Sequence, residues 1–104
     1  MALANRALVK FDISNNALYS AGAKALAGAL KGNTVMTELN IATNGMGKTS
    51  KYGDADMSGV SAIADAIPTM GALASLDLSQ NRIPAEEMGP IERLCESKQI
   101  ALRK

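Results

Sequence analysis

Apolar residues recur at fixed steps in three places along the chain. The template L-x-x-L-x-L-x-x-N-x-L is met first by Leu8, Phe11, Ile13, Asn16 and Leu18. It returns at Met36, Leu39, Ile41, Asn44 and Met46, and again at Leu73, Leu76, Leu78, Asn81 and Ile83. The two central apolar residues of each copy stand two apart, the period of a strand that buries one face. Between the copies the period changes. Ala23, Leu26, Ala27 and Leu30, then Val60, Ile63, Ala64 and Ile67, then Met88, Ile91, Leu94 and Cys95 follow three- and four-residue steps. Each set makes the apolar face of an amphipathic helix. Each unit is therefore expected to be a short strand, a turn and a helix, with starts 28 and then 37 residues apart.

Punctuation agrees with this division. Ser20 and Ser58 are expected to cap the first two helices, and Pro68 to stop the second after Ile67. Pro90 is expected in the first turn of the third helix, where a missing N–H is tolerated. Ile100, Ala101 and Leu102 read as the start of a fourth strand that does not complete, so that 100–104 forms a C-terminal finish. The expected organisation is one domain over 1–104, with repeats at about 8–35, 36–72 and 73–99. The strand residues that point inward, Phe11 and Ile13, Leu39 and Ile41, Leu76 and Leu78, cannot be buried by one unit alone. Stacked side by side, the units give a parallel sheet on one face and a helix layer on the other, brought close by core-facing alanines. Asn16, Asn44 and Asn81 stand where the chain leaves each strand, and their amides can bond backbone groups that a buried turn would leave unpaired.

The run from Leu8 through Leu18, followed by Ala21, Gly22, Ala23, Leu26, Ala27 and Leu30, closely resembles leucine-rich repeats of the ribonuclease-inhibitor type. The resemblance extends from about Leu8 to Ile100. It departs at Phe11, which replaces a leucine, in the enlarged second repeat, and at Pro84 and Pro90. It implies an α/β solenoid with a short parallel sheet on the concave face and helices on the convex face. It also implies recognition of a protein partner by the concave face and rim loops, which a fold by itself does not establish. Related arrays include GTPase activators and ribonuclease inhibitors, so a regulator of an enzyme is a second expectation. A self-associating structural module is a third.

Composition narrows the chemistry. Among 104 residues there is no histidine and one cysteine. That removes imidazole bases, Ser-His-Asp and Cys-His pairs, internal disulfides and ordinary zinc or haem ligation. No enzymatic activity and no cofactor are expected. A single cysteine fits a reducing compartment, and the expected location is cytoplasmic. Eleven basic and ten acidic residues leave a formal charge of +1, which argues against a nucleic-acid footprint or a membrane anchor. No run approaches the ~18 apolar residues of a membrane span, and 1–6 lacks the apolar centre of a signal peptide. Phe11, Tyr19 and Tyr52 are the only aromatics, so the core must be aliphatic.

Two motifs invite sharper readings and lack their supporting parts. Ala42-Thr43-Asn44-Gly45-Met46-Gly47-Lys48-Thr49 meets a permissive phosphate-loop pattern, yet Ala42 replaces the first glycine and no helix is expected downstream. Asp54-Ala55-Asp56-Met57-Ser58-Gly59 resembles the opening of a calcium loop, with Asp65 at the twelfth place, but no helix precedes it.

Two surfaces remain as candidates. Side chains alternate along a strand, so Lys10, Asp12 and Ser14 should face away from the helices, alongside Glu38, Asn40 and Ala42 and then Ser75, Asp77 and Ser79. At ~4.8 Å between strands the carboxylates of Asp12 and Asp77 stand ~10 Å apart, too far to share a proton or a metal. The second surface is the excess of the second repeat at 47–56, which carries Lys48, Lys51, Tyr52 and Asp54. Finally, the 8–13 strand has a neighbour on one side only, which predicts a homodimer through that N-terminal edge.

Overall fold

The computed structural model describes residues 9–104. Leu8, which opens the first copy of the template and the expected edge segment, lies outside the described residues. Four three-residue strands follow one another as β1 (Lys10–Asp12), β2 (Glu38–Asn40), β3 (Ser75–Asp77) and β4 (Ala101–Arg103). They form one parallel sheet in the order β1-β2-β3-β4. Parallel neighbours need a crossover, and α1 (Tyr19–Leu30), α2 (Ser58–Ala66) and α3 (Ala85–Ser97) supply the three. Alternating strands and helices with a parallel sheet fit the α/β leucine-rich repeat fold.

The register puts equivalent template positions side by side. Phe11 pairs with Leu39, Leu39 with Leu76 and Leu76 with Leu102. Leu39 and Leu76 are buried in one cluster with Ala23, Leu26, Leu30, Val60, Ile63, Met88 and Ile91 from the three helices, so the helices cover one face of the sheet. The core is aliphatic, as the scarcity of aromatics requires. Met36, Met46, Met70 and Met88 fill it between the branched residues, a use suited to an unbranched, adaptable side chain. Cys95 is a small core residue, 1% exposed.

The asparagines fix the turns. Asn44 is buried, and its Nδ2 donates to the carbonyls of Ile13, Ile41 and Ala42 at 3.1, 3.1 and 3.2 Å. Its Oδ1 accepts from the Asn16 N–H at 2.8 Å, while the Asn44 N–H donates to Asn81 Oδ1 at 2.9 Å. Asn81 repeats the pattern, donating to Ile41, Leu78 and Ser79. Each amide thus satisfies its own turn and the preceding one. The flanking residues are left-handed: Asn15, Thr43 and Gln80 before the asparagine, with φ of 60, 57 and 55°, and Ala17, Gly45 and Arg82 after it, with φ of 50, 63 and 60°.

Several local expectations are corrected. Ser20 is not a cap: it lies inside α1, where its hydroxyl donates to Asp56 Oδ2 at 3.0 Å. Ser58 does not cap α2 with its side chain either. Asp56 Oδ1, one residue before the Met57 N-cap, accepts from both the N–H and the hydroxyl of Ser58, at 2.9 and 2.6 Å, and so satisfies the first free N–H of the helix. The second helix leaves α geometry at Ala66, and a 3-10 turn over Ile67–Thr69 carries the chain through Pro68 rather than stopping at it. Ala66, not Ala64, is the buried alanine of α2. Pro90 lies in the interior of α3, not its first turn, because the helix begins directly after Pro84. The fourth strand does complete: β4 pairs all three of its residues with β3.

Gly59 shows why α1 and α2 lie so close. A Cβ there would sit 2.8 Å from Ala23 Cβ and 2.9 Å from Ser20 Cα, closer than real Cβ atoms approach. Only glycine allows the start of α2 to rest on the first turns of α1.

Candidate functional site

The outer face of the sheet is an open groove of about 620 Å³, lined by three residues from each strand. Lys10, Asp12, Glu38, Asn40, Ser75 and Asp77 stand there as the strand alternation requires, and β4 adds Ala101 and Arg103, which the sequence reading left out. Ser14 and Ser79 do not line it. Their N–H and hydroxyl groups instead donate to Asp12 Oδ1 at 2.9 and 2.7 Å and to Asp77 Oδ1 at 3.0 and 2.7 Å. Asn40 Oδ1 takes the Ala42 N–H in the same way at 3.0 Å, and Ala42, expected to face outward, is buried. The expected row of Asp12, Asn40 and Asp77 is therefore a row of side chains folded over the strand exits, in which each aspartate keeps its second oxygen and Asn40 its amide Nδ2 for other contacts. The repeated Asp-x-Ser at 12–14, 56–58 and 77–79 was the available signal for these turns.

Charges on the groove are partly tied across strands. Lys10 Nζ lies 3.7 Å from Glu38 Oε2, and Asn40 Nδ2 donates to Asp12 Oδ2 at 3.4 Å. Both contacts are solvent-exposed and contribute little stability. The Ser14 hydroxyl, then its N–H, hold the Asp12 carboxyl below the usual 3.8, and the Ser58 hydroxyl does the same for Asp56. Burial pushes the Cys95 thiol upward, which removes it as a ready nucleophile.

The 47–56 excursion folds back on itself. Lys48 and Ala55 form an antiparallel bridge, the Thr49 N–H donates to the Asp54 carbonyl at 3.0 Å, and the Asp56 N–H donates to the Gly47 carbonyl at 2.8 Å. The structure separates the four residues singled out on it. Lys48 and Lys51 line a second cleft, of about 590 Å³, together with the left-handed residues of the strand-exit turns. Tyr52 is 89% exposed, with the Lys51 ammonium 5.4 Å from its ring centre, and neither it nor Asp54 lines the cleft. Tyr19 and Arg82, which do, were missed: the repeat template leaves their positions open, so nothing in the spacing marks them.

The two motif readings find no supporting geometry. No helix follows Lys48 to present its amides to a phosphate, and 54–59 runs directly from the hairpin into α2. Among the described residues no three Asp, Glu or Cys side chains are placed to hold a metal ion, and no helix is long and apolar enough to cross a membrane.

The family model described as a Leucine Rich repeat matches residues 4–27. That match covers the first strand, its asparagine turn and most of α1, and it supports a leucine-rich repeat protein. No curated protein matches the chain.

Proposed function

We propose that the protein is a non-catalytic protein–protein interaction scaffold, a solenoid of three ribonuclease-inhibitor-like repeats that binds its partner on the open face of the sheet. Leucine-rich repeat domains commonly mediate protein–protein interaction, and the family is typically non-catalytic. The observation that carries the reading is the groove itself. Lys10, Asp12, Glu38, Asp77 and Arg103 bring charges of both signs, and Asn40 a neutral amide, onto a face that no element of the described chain covers. Such an arrangement selects a partner by complementary charge more than by apolar burial. Its aromatic-poor lining offers Arg103 as the one residue of the type that anchors tight interfaces. The partner acts in the cytoplasm, and regulation of an enzyme is one outcome of binding it. Affinity capture tests the reading. The protein should retain a specific partner that Asp12→Lys/Asp77→Lys loses while keeping the same helical circular dichroism. Equal capture by both forms contradicts it.

A second reading, self-association through β1, rests on a separate observation. Phe11 and Ile13 are half-buried, whereas their equivalents Leu39, Ile41, Leu76 and Leu78 are fully buried. A second copy added along that edge would complete their cover. Sedimentation at tens of micromolar should then show a dimer that Phe11→Lys shifts toward monomer. A strict monomer at all concentrations removes this reading.

A further inference from the structure

The cleft on the turn side differs in charge from the sheet groove, which carries both signs. Lys48, Lys51 and Arg82 line it, and no aspartate or glutamate does. Among the described residues the ion pairs are Lys10 with Glu38 and Lys104 with Glu92, so none of these three cations is engaged in one. We propose that this cleft, between the strand-exit turns and the 47–56 excursion, docks an acidic peptide segment of a partner protein.

The geometry favours an extended chain bearing several carboxylates. Asn15, Thr43 and Gln80 occupy the same place in successive turns, so polar side chains follow one another along the cleft. The cations come from separate pieces of backbone, Lys48 and Lys51 from the excursion and Arg82 from the third turn. The backbone is held at Lys48 and beside Arg82: the Lys48 N–H donates to the Gly45 carbonyl at 3.0 Å, its carbonyl accepts the Ser20 N–H at 2.9 Å, and the Gly47 N–H donates to the Asn81 carbonyl at 2.9 Å. An anchored backbone at Lys48 and beside Arg82 reduces the ordering of the main chain that binding must add.

A compact anion such as phosphate is a poorer match. It is best held by convergent backbone amides. Here those of Asn15, Tyr19 and Thr43 donate to carbonyls of neighbouring turns, that of Lys48 to the Gly45 carbonyl and that of Asn44 to Asn81 Oδ1, so five of the lining amides are engaged. A nucleic acid is disfavoured as well, since Tyr19 is the single aromatic ring of the lining and the chain carries only +1 overall. The proposal shares with the sheet-face reading only the expectation of a protein partner. Its test uses defined peptides and different residues, so either can fail alone.

The experiment is fluorescence anisotropy of a labelled octaglutamate peptide against the full chain at low salt, with octalysine and Gly-Ser peptides of equal length as controls. The acidic peptide alone should bind, and more weakly as sodium chloride is raised. Lys48→Glu/Arg82→Glu should weaken it about tenfold or more, while Lys31→Glu/Lys98→Glu, with the same change in net charge outside the cleft, should leave it within about twofold. Lys48→Arg should retain binding, and circular dichroism should be the same for all forms. Equal losses in the two double variants would overturn the proposal, since net charge would then account for binding. So would displacement of the peptide by inorganic phosphate beyond that by chloride at equal ionic strength. Tighter binding of a single-stranded oligonucleotide through Lys48 and Arg82 would overturn it in favour of a nucleic-acid site.

Discussion

At the scale of single residues, the buried asparagines and the left-handed positions around them define the turns. Asn44 is 1% exposed and none of its polar atoms lacks a partner. Asn44→Ala removes three amide donations and leaves the Asn16 N–H without its acceptor. The carbonyls of Ile13, Ile41 and Ala42 keep Asn16 Nδ2, Asn81 Nδ2 and the Asn15 N–H, so it should destabilise by about 1–3 kcal/mol in denaturant titrations. Asn16→Ala, at the exposed first turn, should cost about 1 kcal/mol or less. Thr43 holds φ 57° despite branching at Cβ. Thr43→Asn suits that region better and should stabilise by about 0.5–1 kcal/mol; a loss of stability would show that the Thr43 side chain makes a contact of its own. These asparagines were legible in the sequence because they recur in the template. Thr43 and Arg82 were not, because nothing in a threonine or an arginine announces a left-handed backbone. The Asp-x-Ser turns carry a pH signature. Asp12 and Asp56 have folded-state pKa values below the usual 3.8, so their contribution is complete well above pH 3.8 and is lost as the pH falls through the lowered values. Carboxyl titration by NMR should show both depressed, and Ser58→Ala should return Asp56 toward 3.8.

At the scale of elements, strand centres were read correctly because burial enforces them, while helix ends were not. Pro84 starts α3, leaving Pro90 in its interior, where it removes the N–H that Glu86 would receive. Pro90 is exposed, and Pro90→Ala should raise thermal stability by about 1–3 kcal/mol. A fall in stability would mean that the ring contributes contacts. The role of Asp56 depends on Ser20, thirty-six residues earlier, a pairing that only the packing of α1 against α2 creates. Leu39→Ala and Leu76→Ala should each cost about 2–5 kcal/mol, because they open cavities between sheet and helices. Asp77→Ala, on the opposite face, loses two part-buried turn contacts with Ser79 and opens no core cavity, and should cost about 1 kcal/mol. Similar costs at the two positions would contradict the assignment of strand faces.

At the scale of the whole molecule, one face of the sheet carries the helices and the other is an open groove with charges of both signs. The groove was legible to the extent that strand alternation placed Lys10, Asp12, Glu38, Asn40, Ser75 and Asp77. Its last strand was legible only as an incomplete start at Ile100, Ala101 and Leu102, since 100–104 is too short to show a full template, and Arg103 was left out of the face. The most direct test of a protein-binding sheet face is photo-crosslinking. A photoreactive residue at Glu38, in the groove, should form a specific covalent adduct with a partner protein in extract, and the same residue at Lys24, on the exposed side of α1, should not. An adduct from position 24 with none from position 38, or none from either, contradicts the account.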